Sequence, residues 1–582
     1  MSLSSESRII VFSSKGNNSG DNNCSKFNMH PSSTMDRKTA ISTIRALSLF
    51  LSKYGGGYPP RDDRNESNGL SLLKHISTIL NTGMPHSLVS AVTGHISPKN
   101  FCAVVAVSSS PDTTDPVQLP YDITKVEPSP DESILHPSSL GKPDGPPFQQ
   151  HLCDTAGILR LLTQTPDPVK LYTRFLFWLI VQCRKRIAIR FNVVAATWSP
   201  SPWKIIEDWS PNTKEVFASP RIDIPESFRE ELPECGFPSH DDGVHLWIKC
   251  LGRLLSAAHE LRDKNDEESL ETLQNYLICI DTILKCRQVQ DAFHKTRSLS
   301  AAFSGNKNYR FISSDVSTAD DADDTSEAAA AAEFDQFQSE SEWNEGSGSC
   351  ALRYLLTLVA WHTAARAVIK LSRIANRIGK LPEVFLVRLA EYSSDALDDV
   401  RTNSRAIVDS LKAEIVPEYV DRPKAKEIIL QSIERRCEIP RIIRPFRVHP
   451  EAGLMALLMK AEVEPIYLGH ERTYQSTTDF FSEAENCAIG VNKMCCRTCN
   501  LLGECMSNEL SRTVRLPPTH GEVLPWDPPS FGIPDTILQT LAQNLRKEMI
   551  LLATSDIQTM EIWEEDDEII FEARCITRTP EE

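Results

Sequence analysis

His449-Pro450-Glu451 and Cys496-Arg497-Thr498-Cys499 are the residues of this 582-residue chain whose types and spacing promise chemistry. One imidazole and two thiolates suit zinc. Three protein ligands leave the fourth tetrahedral position to a water, whose pKa the metal brings toward neutrality. Glu451, one short step from His449, can move protons without serving as a ligand. The chemistry on offer is hydrolysis. A closed alternative uses the same stretch: Cys487, Cys495, Cys496, Cys499 and Cys505 supply enough sulfurs for a structural tetrathiolate zinc, with His449 an ordinary junction residue.

Such ligands need elements that point them at one another. In residues 450–461, Leu454, Leu457, Leu458 and Ala461 fall at helical spacing, and Pro450 suits a first helical position because it needs no backbone donor there. The segment before it, 439–448, reads as extended, which puts His449 at a strand-to-helix junction. Residues 487–491 predict a short strand, and Cys496 and Cys499 then share one face of the first turn of a helix. A thiolate is stabilised at such a helix start. Further on, 511–516 reads as a strand, 519–529 as a proline-rich loop and 534–553 as an amphipathic helix. This order predicts a helix-covered sheet between Arg441 and Ala553.

A His-x-Glu followed by Cys-x-x-Cys is the signature of zinc nucleobase deaminases. Together with Ile489-Gly490-Val491-Asn492-Lys493-Met494-Cys495, Thr519-His520-Gly521, Trp526 and Pro528, it makes residues 441–529 resemble the large fungal group of predicted deaminases in the nucleic-acid and nucleotide deaminase superfamily. The resemblance implies a cytidine-deaminase-like α/β/α domain, Zn2+ held by His449, Cys496 and Cys499, and Glu451 as proton shuttle. It implies a hydrolase acting on the C–N bond of a cyclic amidine, in which zinc-bound hydroxide attacks C4 of a cytosine or C6 of an adenine. Cys495 stands where the superfamily carries proline, so its sulfur either competes for the metal or packs. Arg444, Arg447 and Lys493 are candidates to meet the substrate, and His520 and Trp526 to stack on or hydrogen-bond a base. A non-catalytic scaffold, with zinc holding a deaminase-like fold together, is the rival from another class.

The fold class expected is α+β, a large and mostly helical N-terminal region followed by the α/β/α domain. The divisions expected are a disordered 1–37, a mixed helical 38–205, a helical 206–312, an acidic disordered linker 313–349, a helical 350–436, the zinc domain 437–553 and an acidic tail 554–582. Helical spacing marks 37–51, 70–92, 169–194, 245–260, 269–285, 352–378, 381–415 and 424–436, while 101–107 reads as a strand and 108–147 as a loop. His362 is read as structural. The formal charge of −17 is concentrated in 313–349 and 561–582 and leaves the remainder near neutral, so the global charge does not exclude an anionic substrate. Sixteen cysteines without framework spacing fit a reducing compartment. No secretory signal and no apolar run of spanning length is read, so the chain is expected to be intracellular, cytoplasmic or nuclear, and off the membrane. The partners expected are a nucleotide or single-stranded nucleic acid at the site and other proteins on the helical region.

Overall fold

The computed structural model describes residues 35–54, 68–82, 90–97, 100–108, 120–129, 135, 147–212, 219–239, 241–307, 346–376, 381–390, 395–415, 422–439, 446–463, 486–491, 495–510, 513–519, 521 and 523–564. The chain is mostly helical around one mixed sheet, an α+β architecture. Its strands are β1 (Ser90–Ser97), β2 (Asn100–Ser108), β3 (Tyr121–Lys125), β4 (Glu383–Leu389), β5 (Asn486–Val491) and β6 (Thr513–Arg515), in the order β3-β4-β2-β1-β5-β6. β1 and β2 form an antiparallel hairpin with Ser97 opposite Asn100. β4 runs parallel to β2, β5 antiparallel to β1, and β6 parallel to β5.

The central strands are apolar on both sides because both faces are covered. In β2, Cys102, Val104 and Ala106 enter one core, and Ala103, Val105 and Val107 the other. β4 repeats the division, with Phe385, Val387 and Leu389 on the first side and Val384 and Leu386 on the second. The second core belongs to helix Asn68–Ile79 and the helices between Phe148 and Asn376. The first belongs to helices Arg37–Leu51, Ala396–Ile415, Pro423–Arg436, Pro450–Val463, Arg497–Leu510 and Asp535–Glu564. The helices that follow His449 and Cys496 therefore lie in one layer. Gly490 of β5 lets the opposite layer come close: a Cβ there would sit 2.3 Å from the backbone of Leu73 and Lys74.

Several expectations change. The sheet is not confined to residues 441–553, since β1 to β4 come from earlier in the chain and β5 pairs with β1. The stretch 381–415 is not one helix but β4 followed by helix Ala396–Ile415, because a strand buried on both faces is continuously apolar and mimics a buried helix. The stretch 70–92 is not one helix: it holds most of helix Asn68–Ile79 and the start of β1, with 83–89 outside the described residues. β3 lies inside the expected loop 108–147, an edge strand with exposed Asp122, Thr124 and Lys125 and so little apolar signal. Helix Asp535–Glu564 runs into the expected tail. Residues 1–34, 308–345 and 565–582, which hold most of the expected disorder, lie outside the described residues. Among those described, no helix is long and apolar enough to cross a membrane.

The helical layer has its own buried polar centre. Asp281, fully buried, accepts from Lys285 Nζ at 2.8 Å, Thr363 Oγ1 at 3.0 Å and Arg366 Nη1 at 3.4 Å, and its Oδ2 lies 2.9 Å from His362 Nδ1. Tyr172 closes on the far side of the ring, 2.6 Å from His362 Nε2. His362 is structural as expected. Burial works against the Asp281 carboxylate, but His362 and Lys285 outweigh it and hold its pKa at about 2. A carboxyl depressed in the fold stabilises above its unfolded pKa of about 4, and that contribution is lost as pH falls toward 2. Asp281→Asn should cost about 3 kcal/mol at neutral pH, the low end for breaking a buried pair, since Lys285 and Arg366 can turn to solvent. Urea titrations at pH 7 and pH 3 check this. A variant as stable as the parent at pH 7 would remove the role.

Candidate metal centre

His449 immediately precedes helix Pro450–Val463, and its carbonyl accepts the Gly453 N–H at 3.0 Å. That helix is buried on nearly every side, from Ala452 through Met459, rather than along the single apolar face its spacing suggested. Gly532, at φ +72°, passes so close to it that a Cβ would stand 2.0 Å from the Ala456 carbonyl oxygen. Cys496 likewise precedes helix Arg497–Leu510, its carbonyl accepting the Asn500 N–H at 3.0 Å and its Sγ the Cys499 N–H at 3.4 Å. The thiol occupies the place of a capping oxygen. Two helix starts thus face one point, and both favour negative charge there.

The donor atoms meet. His449 Nδ1 lies 3.2 Å from Cys496 Sγ, 3.5 Å from Cys499 Sγ and 3.7 Å from Glu451 Oε1. One ligand atom from each of these four residues falls within 4.8 Å of the others, and among the described residues theirs is the one such group. The group can hold a metal ion. Cys496, Cys499 and Glu451 are buried, while His449 keeps partial exposure and forms the outer side of the site.

The four groups shift one another's protonation. Burial pushes the Cys496 and Cys499 thiols well above the ordinary range, and their sulfur neighbours push further. Burial opposes an imidazolium at His449, yet Cys496 and Glu451 prevail and raise it to about 10. Burial also opposes the Glu451 carboxylate, which His449 keeps below its usual range. Glu451 Oε2 is buried with no hydrogen-bond partner, an orphan of the kind a bound water or ion satisfies.

The neighbours sort the remaining candidates. Cys495 forms a bridge to Thr519 and donates its N–H to the Pro518 carbonyl at 3.1 Å; its buried thiol, pushed by burial up to about 12, stands against Cys499 outside the group of four. Cys487 lies in β5, and Cys505 accepts from Asn544 Nδ2 at 3.5 Å, so the described residues assemble no tetrathiolate. Trp526 is not a platform for a base. It is fully buried, and its Nε1–H donates to Cys499 Sγ at 3.3 Å. Arg447 is exposed two residues before His449, its backbone bridging Trp526. Arg444, Lys493 and His520 lie outside the described residues.

Sequence reasoning missed the supports. Arg45 Nε meets Asp527 Oδ1 at 2.8 Å and its Nη1 meets Asp399 Oδ2 at 3.2 Å, tying the loop after the cysteine helix to the first helix. Arg497, between the two cysteines, is held by Glu548 of the last helix at 2.8 Å. Only the placement of a charged residue between two ligands could have drawn attention to Arg497; Arg45 carried no signal. No protein-family model, curated protein or solved structure matches the chain, so the centre stands on its own geometry.

Proposed function

We propose that the protein is a hydrolytic deaminase of a nucleobase, with zinc held by His449, Cys496 and Cys499 and with Glu451 as its proton carrier. The observation that carries this reading is Glu451, which belongs to one group with an imidazole and two sulfurs and keeps its Oε2 buried and unpartnered. A nitrogen and two sulfurs make a set that zinc accepts, and zinc bound there would act as a Lewis acid and supply an activated water. Glu451 then takes a proton from water and delivers protons to the ring nitrogen and the departing amine, so that water and an amino-base become an oxo-base and ammonia. For this His449 must be neutral, with its proton on Nε2, since Nδ1 faces the sulfurs. Arg447, exposed near His449, favours a base carried on phosphate, in a nucleotide or a single strand.

A second reading draws on the place of Glu451 in the same ring of donor atoms. As a fourth ligand it would close the centre and make it structural, in a protein that works as a scaffold. Elemental analysis of the purified protein, run beside an ammonia-release assay on bases, nucleosides, nucleotides, single-stranded DNA and RNA, separates the two. About one zinc per chain and ammonia from one class support the deaminase. Zinc without ammonia from any class supports the scaffold.

A further inference from the structure

We propose that Trp526 is a positioning residue of this centre, its indole N–H fixing the Cys499 sulfur and setting how firmly the metal is kept; this rests on the metal reading above. The bond has one possible direction, because an indole N–H only donates. Its partner at 3.3 Å is a sulfur of the group of four. Burial alone does not find a partner for an indole in this protein: the Nε1 atoms of Trp198 and Trp247 are buried with none. The contact at Trp526 is a feature of the site.

The backbone around the indole explains its aim. The Trp526 N–H donates to Ser48 Oγ at 3.1 Å, while the Ser48 hydroxyl donates to the Arg45 carbonyl at 2.9 Å and so leaves its lone pairs to Trp526. The next N–H, of Asp527, donates to the Arg447 carbonyl at 3.0 Å, on the segment that leads to His449. One dipeptide therefore holds both halves of the ligand set, the cysteine through a side chain and the histidine through the backbone. Cys496 Sγ already has a donor in the Cys499 N–H. With Trp526 each sulfur has one, and each thiolate is relieved of part of its charge and confined to one direction.

The test uses the full chain loaded with cobalt(II) in place of zinc. Trp526 is replaced by 3-benzothienylalanine, which keeps the shape and lacks the N–H, and in a second protein by Trp526→Phe. Both should still bind cobalt, with the sulfur-to-cobalt charge-transfer band displaced and metal loss to a chelator faster by about 10- to 100-fold. Leu502→Ala removes buried packing from the cysteine helix without removing a donor, and should lower stability while leaving the band in place. A benzothienyl protein with the parental band and parental loss rate overturns the proposal, whatever becomes of Trp526→Phe. If the parent takes up neither cobalt nor zinc, the metal reading itself has failed and the positioning role falls with it.

Discussion

Glu451→Gln is expected to lower deamination by about 10²- to 10⁴-fold while metal content stays at the parental level. The amide has the shape of the carboxylate, so the buried space beside His449 remains filled. What it lacks is the ability to accept a proton and return it near neutral pH. Glu451 is suited to that work because it is buried among the donor atoms of the group and one of its oxygens has no hydrogen-bond partner in the protein. Elemental analysis and ammonia release on the same preparation read both quantities. Loss of zinc would instead mark Glu451 as a ligand and favour the closed, structural centre; full activity would remove the proton role altogether.

The centre was legible because its signals are local. Pro450 and the apolar spacing after it marked a helix start at His449, and the spacing of Cys496 and Cys499 put both on one turn, so two short segments sufficed to single out three residues of the group that could hold a metal. The sheet that carries them was only half legible. β2, β5 and β6 have short apolar or β-branched runs, but β4 is continuously apolar because helices cover both its faces, and that removes the alternation by which a strand is told from a helix. β1 contains Thr93, Gly94 and His95, and although its hairpin with β2 is local, its pairing with β5 crosses hundreds of residues and no local pattern encodes it. Trp526 was misread for a related reason. Its residue type suggests a stacking face, whereas the indole is buried against Cys499 and its backbone N–H is held by Ser48, from the other end of the chain.

Cys499→Ala is expected to empty the centre, whereas Cys495→Ala should leave it loaded. The first removes one of three ligands and also strands the Trp526 N–H in a buried place, adding the desolvation cost of an unpaired donor. The second removes a thiol that contacts Cys499 but lies outside the group of four. Because a metal must displace the protons that the metal-free site holds on the two thiols and on His449, affinity should rise with pH. Metal binding to the native state alone raises its stability by mass action, about 2.7 kcal/mol at 100 times the dissociation constant. Added zinc should therefore raise the melting temperature of the parent and of Cys495→Ala but not that of Cys499→Ala, whose fold is still held by the two cores on the sheet. Metal content and melting curves with and without zinc decide the matter. A Cys499→Ala protein that keeps a full complement of metal, with Cys495→Ala losing it, would transfer the ligand role to Cys495 and with it the geometry on which the proposed chemistry depends.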